Sequence, residues 1–179
     1  MALARSISRN VKVFTHLKEE GHEMSIEIHH LLDHKHHIPT VAAWQQAEFG
    51  YLSPNGTVEQ RAERLRGASD KARLPISLVA ISNHEGDLVG SANIAATTLT
   101  HKHLTPWLSS VFVPPEQRGR GIASKLALAA ISEADRLGFD KIYLFTPKNE
   151  ALYARLGWET FEHAAINGVP VCLMARATR

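Results

Sequence analysis

The chain has 179 residues, 44% of them hydrophobic and 21% charged, with 20 Lys+Arg against 18 Asp+Glu and a net charge of +2. That length suits one domain with a core of its own, and so even a charge balance gives no support to a nucleic-acid-binding surface. The single cysteine, Cys172, excludes an intrachain disulfide framework and a zinc site built on several thiolates, and no apolar run approaches the ~18 residues a membrane helix needs.

Residues 1–23 show no clear period and read as an N-terminal extension, with Met24 an alternative start, ahead of a domain over 24–179. Arg5 and Arg9 stand before no apolar segment, and Glu19 and Glu20 argue against a transit peptide, so a cytoplasmic protein without a membrane partner is expected. Ile26 to His30 alternates like a short strand. A helix is expected from Pro39 to Phe49, with the proline in its first turn and Val41, Trp44 and Ala47 at helical spacing. Ser53-Pro54-Asn55-Gly56 breaks it, and Thr57 with Gln60 forms a capping-box pattern for a second helix to Ala68.

Ile76–Asn83 and Leu88–Ala96 read as a hairpin around His84-Glu85-Gly86-Asp87, and Trp107 to Val113 as a strand closed by Pro114-Pro115. Between Gly121 and Leu137 lies the clearest helix, with Ile122, Leu126, Ala130 and Ala134 recurring every four residues and Gly138 behind it. Lys141–Phe145 is a strand, Glu150–Arg155 a short helix, and Trp158–Phe161 and Val169–Ala175 are the last strands. This order predicts an α/β layer structure on a mixed sheet.

The segment that carries chemistry is Val111-Phe112-Val113-Pro114-Pro115-Glu116-Gln117-Arg118-Gly119-Arg120-Gly121-Ile122-Ala123. A strand ends, a basic glycine-rich turn follows, and a long helix begins. The first helix amides have no internal partner and sit at the positive end of the dipole. Gly119 and Gly121 remove side chains that would block a phosphate, and Arg118 and Arg120 add charge beside it. The turn is therefore a candidate phosphate or pyrophosphate cradle, against the plainer reading of an arginine-flanked helix start in solvent. A nucleoside-triphosphate loop would need Gly-Lys-Ser/Thr, which is absent, and the Gly119-x-Gly121-x-x-Ser124 run lacks the third glycine and the following acidic residue of a dinucleotide fold.

Arg118-Gly119-Arg120-Gly121-Ile122-Ala123 resembles the Arg/Gln-x-x-Gly-x-Gly/Ala signature of the GCN5-related N-acetyltransferase (GNAT) superfamily, and Leu152-Tyr153-Ala154-Arg155-Leu156-Gly157-Trp158 resembles its Leu-Tyr-x-Lys/Arg-x-Gly-Phe segment. The resemblance runs from about Ile26 to Met174. It implies a mixed, mostly antiparallel twisted sheet of about seven strands flanked by about four helices. It also implies an acetyl-CoA-dependent N-acetyltransferase acting on a small-molecule or peptide amine, without a metal or nucleic acid, with a homodimer through the last strands an open option.

Carried over residue by residue, the resemblance assigns the coenzyme A pyrophosphate to Arg118, Gly119, Arg120, Gly121, Ile122 and Ala123, with Ser124 adjacent. It gives the pantetheine to the backbone of Val111 and Val113, with Phe112 between them. An open strand edge can pair with pantetheine amides as with a peptide strand. Tyr153 stands at the position of the family's general acid; its alternative is a core tyrosine between Leu152 and Leu156. The base is less defined: Glu48 at the end of the first helix is the named candidate, with His101, His103 or a water chain in reserve.

Thr146 departs from the asparagine that many members carry seven residues before the tyrosine. In this the segment resembles the subgroup that includes the actin N-terminal acetyltransferase. Asn149 is expected to cap the helix bearing Tyr153, or else to touch the cofactor.

His29, His30, His34, His36 and His37 lie close in sequence, and a place at the edge of the acceptor cleft or in solvent is expected rather than a metal site. Trp44, Phe49, Tyr51 and Trp107 are candidates to wall that cleft, or ordinary core. A non-catalytic acyl-CoA-binding or regulatory module on the same fold is the competing function.

Overall fold

The computed structural model describes residues 25–83 and 86–179. The expected extension over 1–23, the alternative start at Met24, and His84 and Glu85 of the hairpin turn lie outside the described residues. In chain order the elements are β1 (Ile26–His30), α1 (Ile38–Phe49), α2 (Val58–Gly67), β2 (Ile76–Ser82), β3 (Leu88–Ala95), β4 (Trp107–Phe112), α3 (Ile122–Arg136), β5 (Lys141–Thr146), α4 (Glu150–Arg155), β6 (Glu159–Ile166) and β7 (Val169–Ala177). The strands form one seven-stranded sheet in the order β1-β2-β3-β4-β5-β7-β6. Every pairing is antiparallel except β4 with β5, which α3 connects as a crossover.

Two layers of helix cover the sheet, and β2 shows why. All seven of its residues are buried. Ile76, Leu78 and Ala80 face the α3 core, while Val79 and Ile81 join Leu31, Val41, Ala42 and Leu65 beneath α1 and α2. A strand covered on both faces cannot alternate apolar with polar, which is why this one reads as a near-continuous apolar run.

The apolar stripe of α3 buries Ile122, Leu126, Ala127, Ala130, Ile131 and Ala134. At roughly 1.5–3 kcal/mol for each fully buried large aliphatic, its three large members anchor the helix. Close approach to β3 depends on Gly90. A Cβ there would stand 2.9 Å from Ile122 Cγ2, 3.1 Å from Leu126 Cδ1 and 3.2 Å from the Phe112 carbonyl oxygen. At its far end α3 is tied to β1, where His30 Nε2 lies 3.2 Å from a Glu133 carboxylate oxygen.

The capping box of α2 is present in both directions: Gln60 N donates to Thr57 Oγ1 at 3.2 Å, and Thr57 N to Gln60 Oε1 at 3.1 Å. One segment carries no expectation from the sequence, and one expectation needs correction. The chain between β1 and α1 is a 3-10 turn, Leu31–His37, kinked at His34 (φ −129°, ψ 44°), where crowded polar side chains give no helical period to read. The strand expected to stop at Phe161 runs on to Ile166 as an edge strand paired with β7. Its exposed outer positions hide the alternation that would have marked it.

Candidate active site

The parallel neighbours β4 and β5 share a single register pair, Trp107 with Tyr143, and then separate. Part of the cause is local. Between Ser91↔Phe112 and Asn93↔Ser109 the β4 side carries one extra residue, and Ser110 takes φ +53°. This bulge bends β4 away from its neighbour. The gap beyond the carboxyl ends of the two strands becomes a cavity of about 750 Å³. Leu108–Val111 and Leu144–Lys148 line its floor, α1 and α2 contribute one wall, and Tyr51 and Leu99 stand partly exposed around it. A crevice at the carboxyl ends of parallel strands is where α/β sheets commonly hold ligands.

Tyr153 reaches this cavity from α4. It is 6% exposed, packs edge-on against Trp158 at 6.0 Å, and burial pushes its phenol up to about 12. Among the described residues the phenol oxygen has no hydrogen-bond partner. It is thus a neutral O–H donor at any ordinary pH, held in an apolar wall with its hydrogen bond unspent.

The loop before α4 is fixed by the residue that departs from the family pattern. Thr146 is 5% exposed, and its Oγ1 accepts from Asn149 N at 3.0 Å and Lys148 N at 3.4 Å. Asn149 does occupy the N-cap position, but its side chain makes no capping bond, contrary to the sequence expectation. The threonine hydroxyl takes that place, closing the turn through backbone amides, and leaves the Asn149 side chain at the cavity.

Past the carboxyl end of β4, the turn into α3 has an open cradle shape. Gly119 (φ +78°) and Gly121 (φ +73°) are left-handed, and a Cβ added at either would meet no atom within 4 Å. Gly121 is the N-cap of α3 with no side-chain cap, so the first amides of a 15-residue helix are left for a ligand. Ile122 contributes only its backbone, because its side chain is 2% exposed in the core, whereas Ala123 and Ser124 are half-buried at the turn. Arg118 departs from a purely anion-facing role: its Nε donates to the Val113 carbonyl at 3.0 Å and braces the turn. Arg120 donates to Gln117 Oε1. Of the strand positions, Val111 lines the cavity; Phe112 does not, and packs on Trp44 at 5.1 Å, while the Val113 carbonyl is taken by Arg118. The open cradle and the free helix amides are of the kind that could hold a phosphate-bearing cofactor.

Glu48, at the last turn of α1, is half-buried in the cavity wall and is the only carboxylate among the described lining residues. His101 and His103 do not line the cavity, and His101 Nε2 is held 2.9 Å from Glu162. The histidines of 29–37 are also elsewhere: His29 sits 3.2 Å from Glu27, and His34, His36 and His37 bring one ring nitrogen each to within 4.8 Å of one another on the turn before α1. Phe49 and Tyr51 do wall the cavity, but Trp107 is fully buried in a separate core cluster and Trp44 is not in the wall.

Sequence reasoning missed Gln45, Arg61 and Asn93. Gln45 and Arg61 are 3% and 8% exposed, and Gln45 Nε2 and Asn93 Oδ1 are buried without a partner at the cavity. One signal was present: Arg61 falls on the apolar stripe of α2, between Val58 and Leu65, where a charge is out of place.

Comparison with known proteins places this geometry in context. The acetyltransferase (GNAT) family model matches residues 38–158. An uncharacterised N-acetyltransferase of Escherichia coli K12, YjgM, is 35% identical over 88 residues, 47% of this chain, and the match spans about half (52%) of that relative. Spermidine N-acetyltransferase from Vibrio cholerae, solved with CoA and spermine, has a TM-score of 0.60 at 18% identity over 86% of this chain and 95% of that one. YncA of Salmonella typhimurium, a putative acetyltransferase solved with acetyl-CoA, has a TM-score of 0.63 at 18% identity over 87% and 94%. At these identities the solved structures establish the fold. Its sheet and helix numbers are those the sequence motifs implied.

Proposed function

Given that this chain belongs to the acetyltransferase (GNAT) family, we propose that it transfers the acetyl group of acetyl-CoA to a primary amine by direct attack. The observation that carries the reading is the continuity of cradle, strand and cavity. The free amides of α3 follow the carboxyl end of β4, and Val111 of that strand lines the same cavity as the neutral phenol of Tyr153. The names of the structural neighbours, solved with CoA, spermine or acetyl-CoA, support it.

In this reading the amides from Gly121 to Ser124 hold the pyrophosphate, and Val111 offers its backbone to the pantetheine. Acetyl-CoA supplies the activated acyl carbon. Glu48 accepts the proton that the amine loses as its nitrogen bonds to that carbon. Tyr153 donates to the sulfur as the carbon–sulfur bond breaks. Tyr153 is buried and Glu48 half-buried, so their interactions are less screened than they would be in bulk water. Cytoplasmic location and pairing through the edge strand β6 accompany the reading as proposals.

The test is a thiol-release assay with acetyl-CoA across a panel of amines, with mass detection of the acetylated product. Turnover is expected with at least one class of primary amine. Tight acetyl-CoA binding with no amine accepted would favour a non-catalytic acyl-CoA-binding module instead.

A further inference from the structure

We propose that the α1–α2 wall of the cavity is an anion subsite, so that the accepted amine also carries a carboxylate or phosphate group. Of the charged residues lining the cavity, Arg61, Arg64 and Lys148 are cationic and Glu48 alone is anionic. Arg61 is the decisive member. It is 8% exposed, and its hydrogen-bond partner is a neutral amide, with Nε donating to Gln46 Oε1 at 2.7 Å. Among the described residues neither Arg61 nor Arg64 has a carboxylate within ion-pair distance.

A buried guanidinium whose role is structural is normally met by a carboxylate, because an uncompensated buried charge is strongly destabilising. Here the neighbouring charge is Arg64, one turn along α2, which repels it. Burial and that repulsion both push the Arg61 pKa down, the direction expected of a cation waiting for an anion. Arginine nevertheless stays protonated at ordinary pH.

The geometry suits an oxyanion. With Nε tethered to Gln46, the guanidinium plane is fixed and its two terminal nitrogens remain as a fork for bidentate binding. From the same side of the cavity, Gln45 adds a side-chain nitrogen that is buried and unpartnered. A polyamine would meet like charge on this wall. An amine bearing an anion would be drawn in, and the cationic surroundings would also favour the neutral amine that must attack.

The identity of the reaction rests on the acetyl-transfer reading, but the subsite can be tested apart from it. Thiol release would be measured for ω-amino acids of increasing length and for O-phosphoethanolamine, each against the matched alkylamine, with spermidine as the cationic contrast. Wild type should favour the anionic amines in kcat/KM by on the order of 10²-fold, the usual scale for a buried charge pair. Arg61→Met should erase that preference while leaving alkylamine rates within a few-fold, and Arg61→Lys should restore part of it. The two anionic arms distinguish carboxylate from phosphate. A wild-type preference for alkylamines or spermidine, or an equal loss for all amines in Arg61→Met, would overturn the proposal.

Calorimetric titration of the CoA-loaded protein with succinate and with inorganic phosphate supplies the separate readout. Binding that Arg61→Met abolishes would uphold the subsite even if no amine were acetylated, and the acetyl-transfer reading alone would then fail. No binding in wild type, or binding unchanged in the variant, would sink the subsite. Should Arg61→Met not fold, Arg64→Gln at the exposed neighbouring position carries the same comparison, with a smaller expected loss for anionic amines only.

Discussion

Replacing Tyr153 by Phe removes one oxygen from the cavity wall and separates chemistry from packing. The phenol has no hydrogen-bond partner among the described residues, so no protein contact is lost and stability near neutral pH should change by less than about 1 kcal/mol. The catalytic loss can be bounded from its acidity. Full proton transfer from a phenol at about 12 to a thiolate whose conjugate acid has the ~8.5 of an ordinary thiol would cost ~5 kcal/mol. Tyr153 therefore acts mainly as a hydrogen-bond donor to the developing thiolate, with the proton passing fully only as the amine's proton leaves. A hydrogen bond to a charged group is worth about 1.5–3 kcal/mol, or about 10- to 150-fold in rate.

The assay is single-turnover acetyl transfer at saturating acetyl-CoA, with calorimetry to show that cofactor affinity is kept. The loss should appear in kcat and kcat/KM together, since the interaction forms only as charge develops. An effect under about threefold on a chemistry-limited acceptor, well below the ~10-fold lower bound of a charged hydrogen bond, would make Tyr153 a packing residue and refute the reasoning. The same phenol provides an independent check in alkali. Its pKa is 10.0 unperturbed and about 12 in the fold, so above pH 10 the unfolded chain binds fewer protons and stability falls. The stability is present below pH 10 and lost as pH rises through about 12, ~2.7 kcal/mol in all from this group. Tyr153→Phe should lack that part of the alkaline loss, read as a smaller drop in denaturation midpoint than wild type shows.

Gly121→Glu should abolish coenzyme A binding by calorimetry, because it places bulk and negative charge at a φ +73° position among the α3 amides; unchanged affinity in a folded variant would put the cradle elsewhere. Gly90→Ala should destabilise by about 1–2 kcal/mol in denaturant unfolding, since the new methyl meets Ile122, Leu126 and the Phe112 carbonyl at once. Adding Ile122→Val should recover part of that loss, and a Gly90→Ala protein more stable than wild type would show that α3 can move off the sheet freely. Glu48→Gln should lower turnover by about 10²-fold with cofactor affinity kept, the low end for general base catalysis; an unaffected rate would assign the proton to a water.

Much of this protein was legible without a structure because its signals are local. The alternation of β1, the Thr57–Gln60 box, the four-residue stripe of α3 and the Gly119–Gly121 turn depend only on neighbours along the chain, where sequence spacing maps directly to geometry. The two GNAT-like motifs, with the family's order and spacing, identified the fold for the same reason.

What escaped depends on residues distant in sequence. Whether Trp107 walls a cleft or fills a core follows from where β7 and the chain near Leu52 pack, and those contacts filled it in. The spread of β4 from β5 arises in part from one extra residue opposite β3, a mismatch visible only once the strands are paired. Asn149 looks like a cap, yet Thr146 closes the turn, because which side chain reaches the amides depends on how the loop folds back. Arg61 shows the difference most sharply. Its position on an apolar stripe is written in the sequence, but its burial without a carboxylate exists only where α1, α2 and the open end of the sheet enclose one space. Periodicity fixes which face a residue takes, and tertiary packing decides what lies opposite that face.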